Sequence, residues 1–155
     1  MDAPSLRHTL ATLAYRAAKV LRGVPDGFSD FQACENARTP GQILAHLGDL
    51  MDWALTLARG EHKWQDSAPL PWDAGSQRFF RSLAAFDAYL AAGEPLLQAA
   101  DLLFQGPVAD ALTHVGQIAF LRRMYGTPIR AENYFRAAIS TGQVGYEQKP
   151  PVREF

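Results

Sequence analysis

The chain has 155 residues, which predicts one domain over 1–155 with a substantial core. Apolar residues make up 48% and charged residues 20%, which excludes a disordered or fibrous chain, and 15 basic against 16 acidic residues with no basic run exclude the concentrated positive charge that nucleic acids or anionic membranes require. The single cysteine, Cys34, excludes an internal disulfide and a zinc site of paired cysteines, so any metal must take nitrogen and oxygen ligands.

The first periodic segment sets Leu6, Leu10, Leu13, Ala17, Val20 and Leu21 on one face, predicting an amphipathic helix from about Ser5 to Arg22 that Gly23 and Pro25 stop. Residues Met1 to Leu10 lack a basic stretch followed by an apolar run, and no window approaches the roughly 20 apolar residues of a membrane span, so a cytoplasmic location is expected. After a turn-rich loop (Asp26, Gly27, Ser29, Asp30), Thr39-Pro40 offers an N-cap and a first-turn proline. The second helix then runs from Pro40 to Arg59 on the stripe Ile43, Leu47, Leu50, Trp53, Ala54 and Leu57, with Gly60 at its end.

Glu61 to Gly75 carries Pro69, Pro71 and Gly75 and reads as a long connection able to carry function, its Trp64, Leu70 and Trp72 tucked against the helices. The third helix has Phe79, Leu83, Phe86 and Leu90 spaced by four, three and four, and Gly93 follows. Glu94 to Phe104 extends it or forms a short helix of its own, and Gly106-Pro107 resets the chain for a fourth helix from about Pro107 to Tyr125. Gly126 and Pro128 end that helix, Ala131 to Ile139 reads as one more short helix, and the tail from Thr141 to Phe155 has no steady period. This tail either covers the mouth of a site, meets a partner, or is loosely ordered. With no strand pattern and no internal repeat, the expected fold is all-α: an antiparallel four-helix bundle with an extra short C-terminal helix.

Of the four histidines, His8 falls off its apolar stripe and His62 lies in the Gly60-Lys63 turn, so both are expected to be solvated. His46 lies three residues after Ile43 and four before Leu50, which turns it to the apolar side of the second helix, where a polar ring needs a partner. On the fourth helix His114 has Asp110 four residues before it and Gln117 three after, so all three project from one face. Two imidazoles and one carboxylate, which is costly to bury unpaired, are ligands that zinc, nickel, iron or manganese accept, with room left for water or substrate. Each residue also has an ordinary role: Asp110 sits near a helix start where the dipole favours an acid, and either histidine is satisfied by one hydrogen bond.

Two stretches, RTPGQILAHLGDLMDW from Arg38 to Trp53 and DALTHVGQIAFLRRMYG from Asp110 to Gly126, resemble the DinB/YfiT-like superfamily, and the order of elements over nearly the whole chain is similar too. The resemblance implies a DinB-like helical bundle, commonly a homodimer, that binds a divalent metal through a histidine of the second helix and an H-x-x-x-H pair of a late helix. His46 and His114 match the first and last ligands. Asp110 stands where the family has the middle histidine. With a carboxylate in the set, a bound water would be acidified less strongly than by three neutral imidazoles.

The resemblance further implies a metal-dependent transferase, isomerase or hydrolase acting on a small molecule, since relatives include thiol-dependent isomerases and thiol S-transferases. Asp49 and Gln117 are then candidates to orient a nucleophile or to support the ligands, while Trp53 and Tyr125 either line a substrate cavity or, as aromatics at helical spacing more often do, belong to the core. The alternative is a non-catalytic dimeric bundle holding a structural metal or none. DNA binding, suggested only by the superfamily's name, lacks the basic face it needs.

Overall fold

The computed structural model describes residues 1–155, all of them helix, turn or loop apart from one isolated bridge between Glu132 and Glu154. Helix α1 (Ala3–Leu21) starts where Asp2 caps it, its carboxylate accepting from the Ser5 amide at 2.8 Å, and buries Leu6, Leu10, Leu13, Ala17, Val20 and Leu21. Its far end is capped from elsewhere in the chain. The buried guanidinium of Arg122 donates to the carbonyls of Val20 (3.0 Å), Arg22 (2.5 Å) and Gly23 (3.3 Å), placing a cation where the helix dipole is negative.

Helix α2 (Pro40–Ala58) opens with a full capping box: Thr39 Oγ1 accepts from the Gln42 amide at 3.3 Å and Gln42 Oε1 from the Thr39 amide at 2.9 Å. It closes at Gly60, whose φ of +77° lets the Glu61 amide turn back to the Thr56 carbonyl at 2.8 Å. Helix α3 (Trp72–Ala91) begins before the glycine expected to precede it. Pro71 stands at its N-cap rather than inside a loop, and Gly75 lies within the helix, where a Cβ would meet Leu44 Cδ2 at 3.1 Å. The residue read as a loop breaker therefore permits α3 to lie close against α2.

Glu94 to Ala99 is not helical, and the Leu97 amide ties this stretch to the α2 C-terminus through the Ala58 carbonyl at 2.9 Å. The chain then runs through α4 (Ala100–Leu103) and a π-helical turn (Phe104–Val108) into α5 (Ala109–Met124). Gly106-Pro107 does not start a helix. Pro107 has no amide to donate, and the helix absorbs it by widening one turn instead of breaking. Val108 and Ala109 keep right-handed helical angles across the junction, so the amides of the first turn of α5 point into the preceding turn and not into solvent.

The segment expected as a short C-terminal helix, Ala131 to Ile139, holds only a single 3₁₀ turn at Tyr134–Arg136. Its start is drawn into extended pairing with the tail: the Asn133 amide donates to the Arg153 carbonyl at 3.0 Å and the Phe155 amide to the Ala131 carbonyl at 2.9 Å. Glu132 is thereby sunk against α1, accepting from the Tyr15 hydroxyl at 2.6 Å and from Lys19 Nζ at 2.7 Å. The tail is ordered along α1 and α3, where Val144 is buried and Tyr146 meets Phe80 edge-on.

Helices α1 and α2 each pack against both α3 and α5, and 29 buried apolar residues, from these four helices and from Phe28, Ala100, Leu103, Val108 and Val144, form one core, with Leu10, Leu47, Phe79, Phe86 and Ile118 fully inside. The fold is all-α, and no helix is long and apolar enough to cross a membrane. Trp72 tucks in as expected, donating from Nε1 to the Leu21 carbonyl at 2.9 Å, whereas Trp64 and Leu70 remain exposed.

Candidate metal centre

The contact of α2 with α5 brings His46 opposite Asp110 and His114. One donor atom from each of the three lies within 4.8 Å of the others. Asp110 stands between the rings, its Oδ2 3.4 Å from His46 Nε2 and its Oδ1 3.4 Å from His114 Nε2. The two imidazoles meet edge to face, with centroids 4.7 Å apart. Their side chains are 16% and 11% exposed, but that of Asp110 is 47% exposed, so the cost of burying a carboxylate does not explain its presence. Nor does the helix dipole, because the helical backbone continues upstream of Asp110 through the π turn.

His114 is fixed by a third side chain. Gln117 Oε1 lies 2.7 Å from His114 Nδ1 and accepts its hydrogen, which orients the ring with Nε2 towards Asp110. Burial, reinforced by the nearby His114, holds His46 below its ordinary basicity; Asp110 opposes this and the Arg38 guanidinium adds to it. A ring nitrogen and a carboxylate oxygen facing each other at 3.4 Å are too far apart for a strong charge-assisted hydrogen bond. That spacing suits two ligands on a tetrahedral ion at roughly 2.0–2.1 Å, whose donor atoms stand about 3.3 Å apart. The donor types are those a divalent cation accepts, and one donor atom from each residue lies within 4.8 Å of the others.

Two clefts flank the histidines. The larger, about 660 Å³, is lined by Arg38, Ile43, Thr113, His114, Gln117 and Phe120 among others. The smaller, about 220 Å³, is lined by Arg38, Gln42, His46, Asp49, Asp66, Ser67 and Pro69. No residue of the C-terminal tail borders either cleft, so the tail does not cover the mouth of this site.

The remaining residues singled out by sequence sit as follows. Asp49 borders the smaller cleft, yet its oxygens are already engaged by the Ser67 amide (2.8 Å), Ser67 Oγ (2.7 Å), Gln65 Nε2 (3.4 Å) and Arg78 Nη2 (2.6 Å), and it makes no bond to either histidine. Burial works to raise its pKa, but the Ser67 and Arg78 donors outweigh that and hold it below the usual range. Trp53 reaches the site through Trp64: Trp64 stands edge-on to both Trp53 and His46, with centroids 5.5 Å away in each case, and Trp53 Nε1 is buried without a partner. Tyr125 lies instead among Phe28 and Phe31 at the end of α5 and donates to the Asp26 carbonyl at 3.0 Å. His8 and His62 are exposed, His62 against Trp53.

Arg38, Trp64 and Phe120 border the site without having stood out in the sequence. Only Trp64 carried a hint, as an aromatic in a long connection. Compared with protein-family models, with curated proteins and with solved structures, the chain matches none.

Proposed function

We propose that the chain is a DinB-like antiparallel four-helix bundle in which His46, Asp110 and His114 hold one divalent ion, and that it acts as a metal-dependent transferase, isomerase or hydrolase on a small molecule. The observation that carries this reading is the meeting of three donors from two helices within 4.8 Å of one another, with the ring of His114 oriented by Gln117. Nitrogen and oxygen donors suit zinc, nickel, iron or manganese. When bound, such an ion supplies the Lewis acidity that activates water or a low-molecular-weight thiol.

The chain's own residues have assigned roles in this reading. His46, held below its ordinary basicity by burial, offers Nε2; Gln117 orients His114 with its Nε2 towards Asp110; Asp110 supplies charge compensation from the solvent side. The larger cleft beside His114 gives a substrate access, which a purely structural ion would not need. A homodimer belongs to the proposal as well, on the strength of the resemblance alone. The non-catalytic bundle is the weaker reading because it leaves the open cleft unused.

The test is elemental analysis of protein purified without a metal-affinity column, together with single alanine variants at His46, Asp110 and His114. Stoichiometric metal in the parent and its loss in each variant is the expected result. A parent that stays metal-free after incubation with zinc, nickel or manganese, and is no more stable for it, would remove the basis of the enzymatic reading.

A further inference from the structure

The larger cleft has a one-sided chemistry. Among its nine lining residues Arg38 is the only arginine, lysine, aspartate or glutamate, while Asp49 and Asp66 share the smaller cleft with it. Three arginines packed at helix contacts are engaged within the chain, the half-buried Arg7 with Asp87 and Arg78 with Asp49 and Asp52, and the buried Arg122 with backbone carbonyls, whereas Arg38 is exposed. Arg38 makes neither an ion pair nor a hydrogen bond, although it borders both clefts beside the histidines. It does not hang from a loose loop, because the capping box at Thr39 fixes the backbone at the next residue.

The second free polar group is also a donor. Gln117 spends its Oε1 on His114, and its amide nitrogen has no partner within the chain. The Thr113 hydroxyl donates to the Ala109 carbonyl at 3.0 Å and so is not free to donate into the cleft. Around these groups the wall is apolar: Ile43, Leu121 and Phe120, the last 59% exposed and idle as far as the core is concerned. A guanidinium and an amide N–H over an apolar wall match a planar anion on an apolar body, and a guanidinium binds a carboxylate through two parallel hydrogen bonds.

We propose that Arg38, assisted by the Gln117 amide, anchors the carboxylate of a small organic acid whose apolar body lies against Ile43 and Phe120. This rests on the reading of the larger cleft as the substrate side of the metal site, and it narrows the substrate class of that site to carboxylates. Arg38 is a binding and specificity residue in this scheme, with no part in holding the ion.

The probe is phenylacetate, with phenylacetamide as its uncharged match, titrated into isotope-labelled protein and followed by amide resonances. Both a zinc-loaded and a chelator-treated sample are used, with the variants Arg38→Ala, Arg38→Lys and the control Arg123→Ala, an exposed arginine outside the cleft. Expected are saturable shifts at Thr113, Gly116 and Gln117 with the acid, about tenfold weaker binding of the amide, a loss of about tenfold in Arg38→Ala and partial retention in Arg38→Lys. Equal binding of acid and amide, undiminished binding by Arg38→Ala, shifts confined to another face, or no saturable shift up to roughly tens of millimolar would each overturn the assignment. Binding that needs zinc and ignores Arg38→Ala also overturns it while leaving the metal site intact. Binding that depends on Arg38 in a protein that takes up no zinc supports it and sinks the metal instead.

Discussion

Two polar clusters hang from α2 three residues apart, one rooted at His46 facing α5 and the other at Asp49 facing α3. The Asp49 cluster is closed. Arg78 bridges Asp49 at 2.6 Å and Asp52 at 2.7 Å, donates to the Ala45 carbonyl at 3.1 Å, and lies so flat on α2 that a Cβ at Gly48 would sit 2.9 Å from its Nη1. The same Asp49 accepts from the Ser67 amide and hydroxyl, pinning the α2–α3 connection. The His46 cluster is open: contacts of 3.4 Å, a half-exposed carboxylate, and clefts on both sides. Short, saturated contacts mark a group whose task is complete within the chain, whereas long contacts between groups that are all able to accept leave a place for a cation.

Breaking the closed cluster should have the largest effect. Arg78→Ala strands the buried Asp49 carboxylate and is expected to destabilise the fold by about 3–5 kcal/mol in urea unfolding, while the protein that remains folded still takes up metal. A loss below 1 kcal/mol would mean that the cluster is ornamental and the contrast drawn with the His46 side is unfounded.

The open cluster should respond in the opposite sense, to addition and not to removal. Zinc at 100 times its dissociation constant is expected to stabilise the parent by about 2.7 kcal/mol, read as a raised unfolding midpoint. His114→Ala should lose that gain. If the parent and His114→Ala shift equally with zinc, the ion binds elsewhere. Next in size, Gln117→Ala frees the His114 tautomer and should weaken metal affinity roughly 10-fold or more without removing the site. Equal affinity in Gln117→Ala and parent would show that the 2.7 Å bond does not matter to the donor set.

How legible each cluster was from sequence follows from the physics that builds it. His46, Asp110, His114 and Gln117 stand at helical spacings, so their shared faces can be read from one-dimensional periodicity. Arg78 and Ser67 reach Asp49 from 29 and 18 residues away, across a change of direction that no spacing reveals, so the ion pair and hydrogen bonds that occupy Asp49 cannot be read from the sequence. The helix ends divide the same way. Thr39-Pro40 and Gly60 are local signals and the chain obeys them, whereas Gly75 and Pro107 look like breakers but sit inside helical backbone, because α3 needs closeness to Leu44 and a wide π turn accommodates the missing amide. The extra C-terminal helix failed for a tertiary reason as well: pairing of Glu132 with Tyr15, Lys19 and the tail outweighs helical propensity in a short segment.

The smallest effect separates the two clusters by pH. Asp49 is held below its ordinary pKa of 3.8 in the folded chain, so the native state binds fewer protons than the unfolded one; its contribution is complete above that value and is lost as pH falls through the folded pKa. His46 is likewise held below its ordinary 6.5, so its neutral form also belongs to the native state, and stability falls as pH drops from about 6.5 towards its folded value. Metal-free protein should therefore lose stability in two acid steps, the upper from the open cluster and the lower from the closed one. His46→Gln should flatten the upper step and leave the lower in place, measured as the unfolding midpoint against pH. An upper step that survives in His46→Gln would assign it to another group and deprive the open cluster of its electrostatic signature.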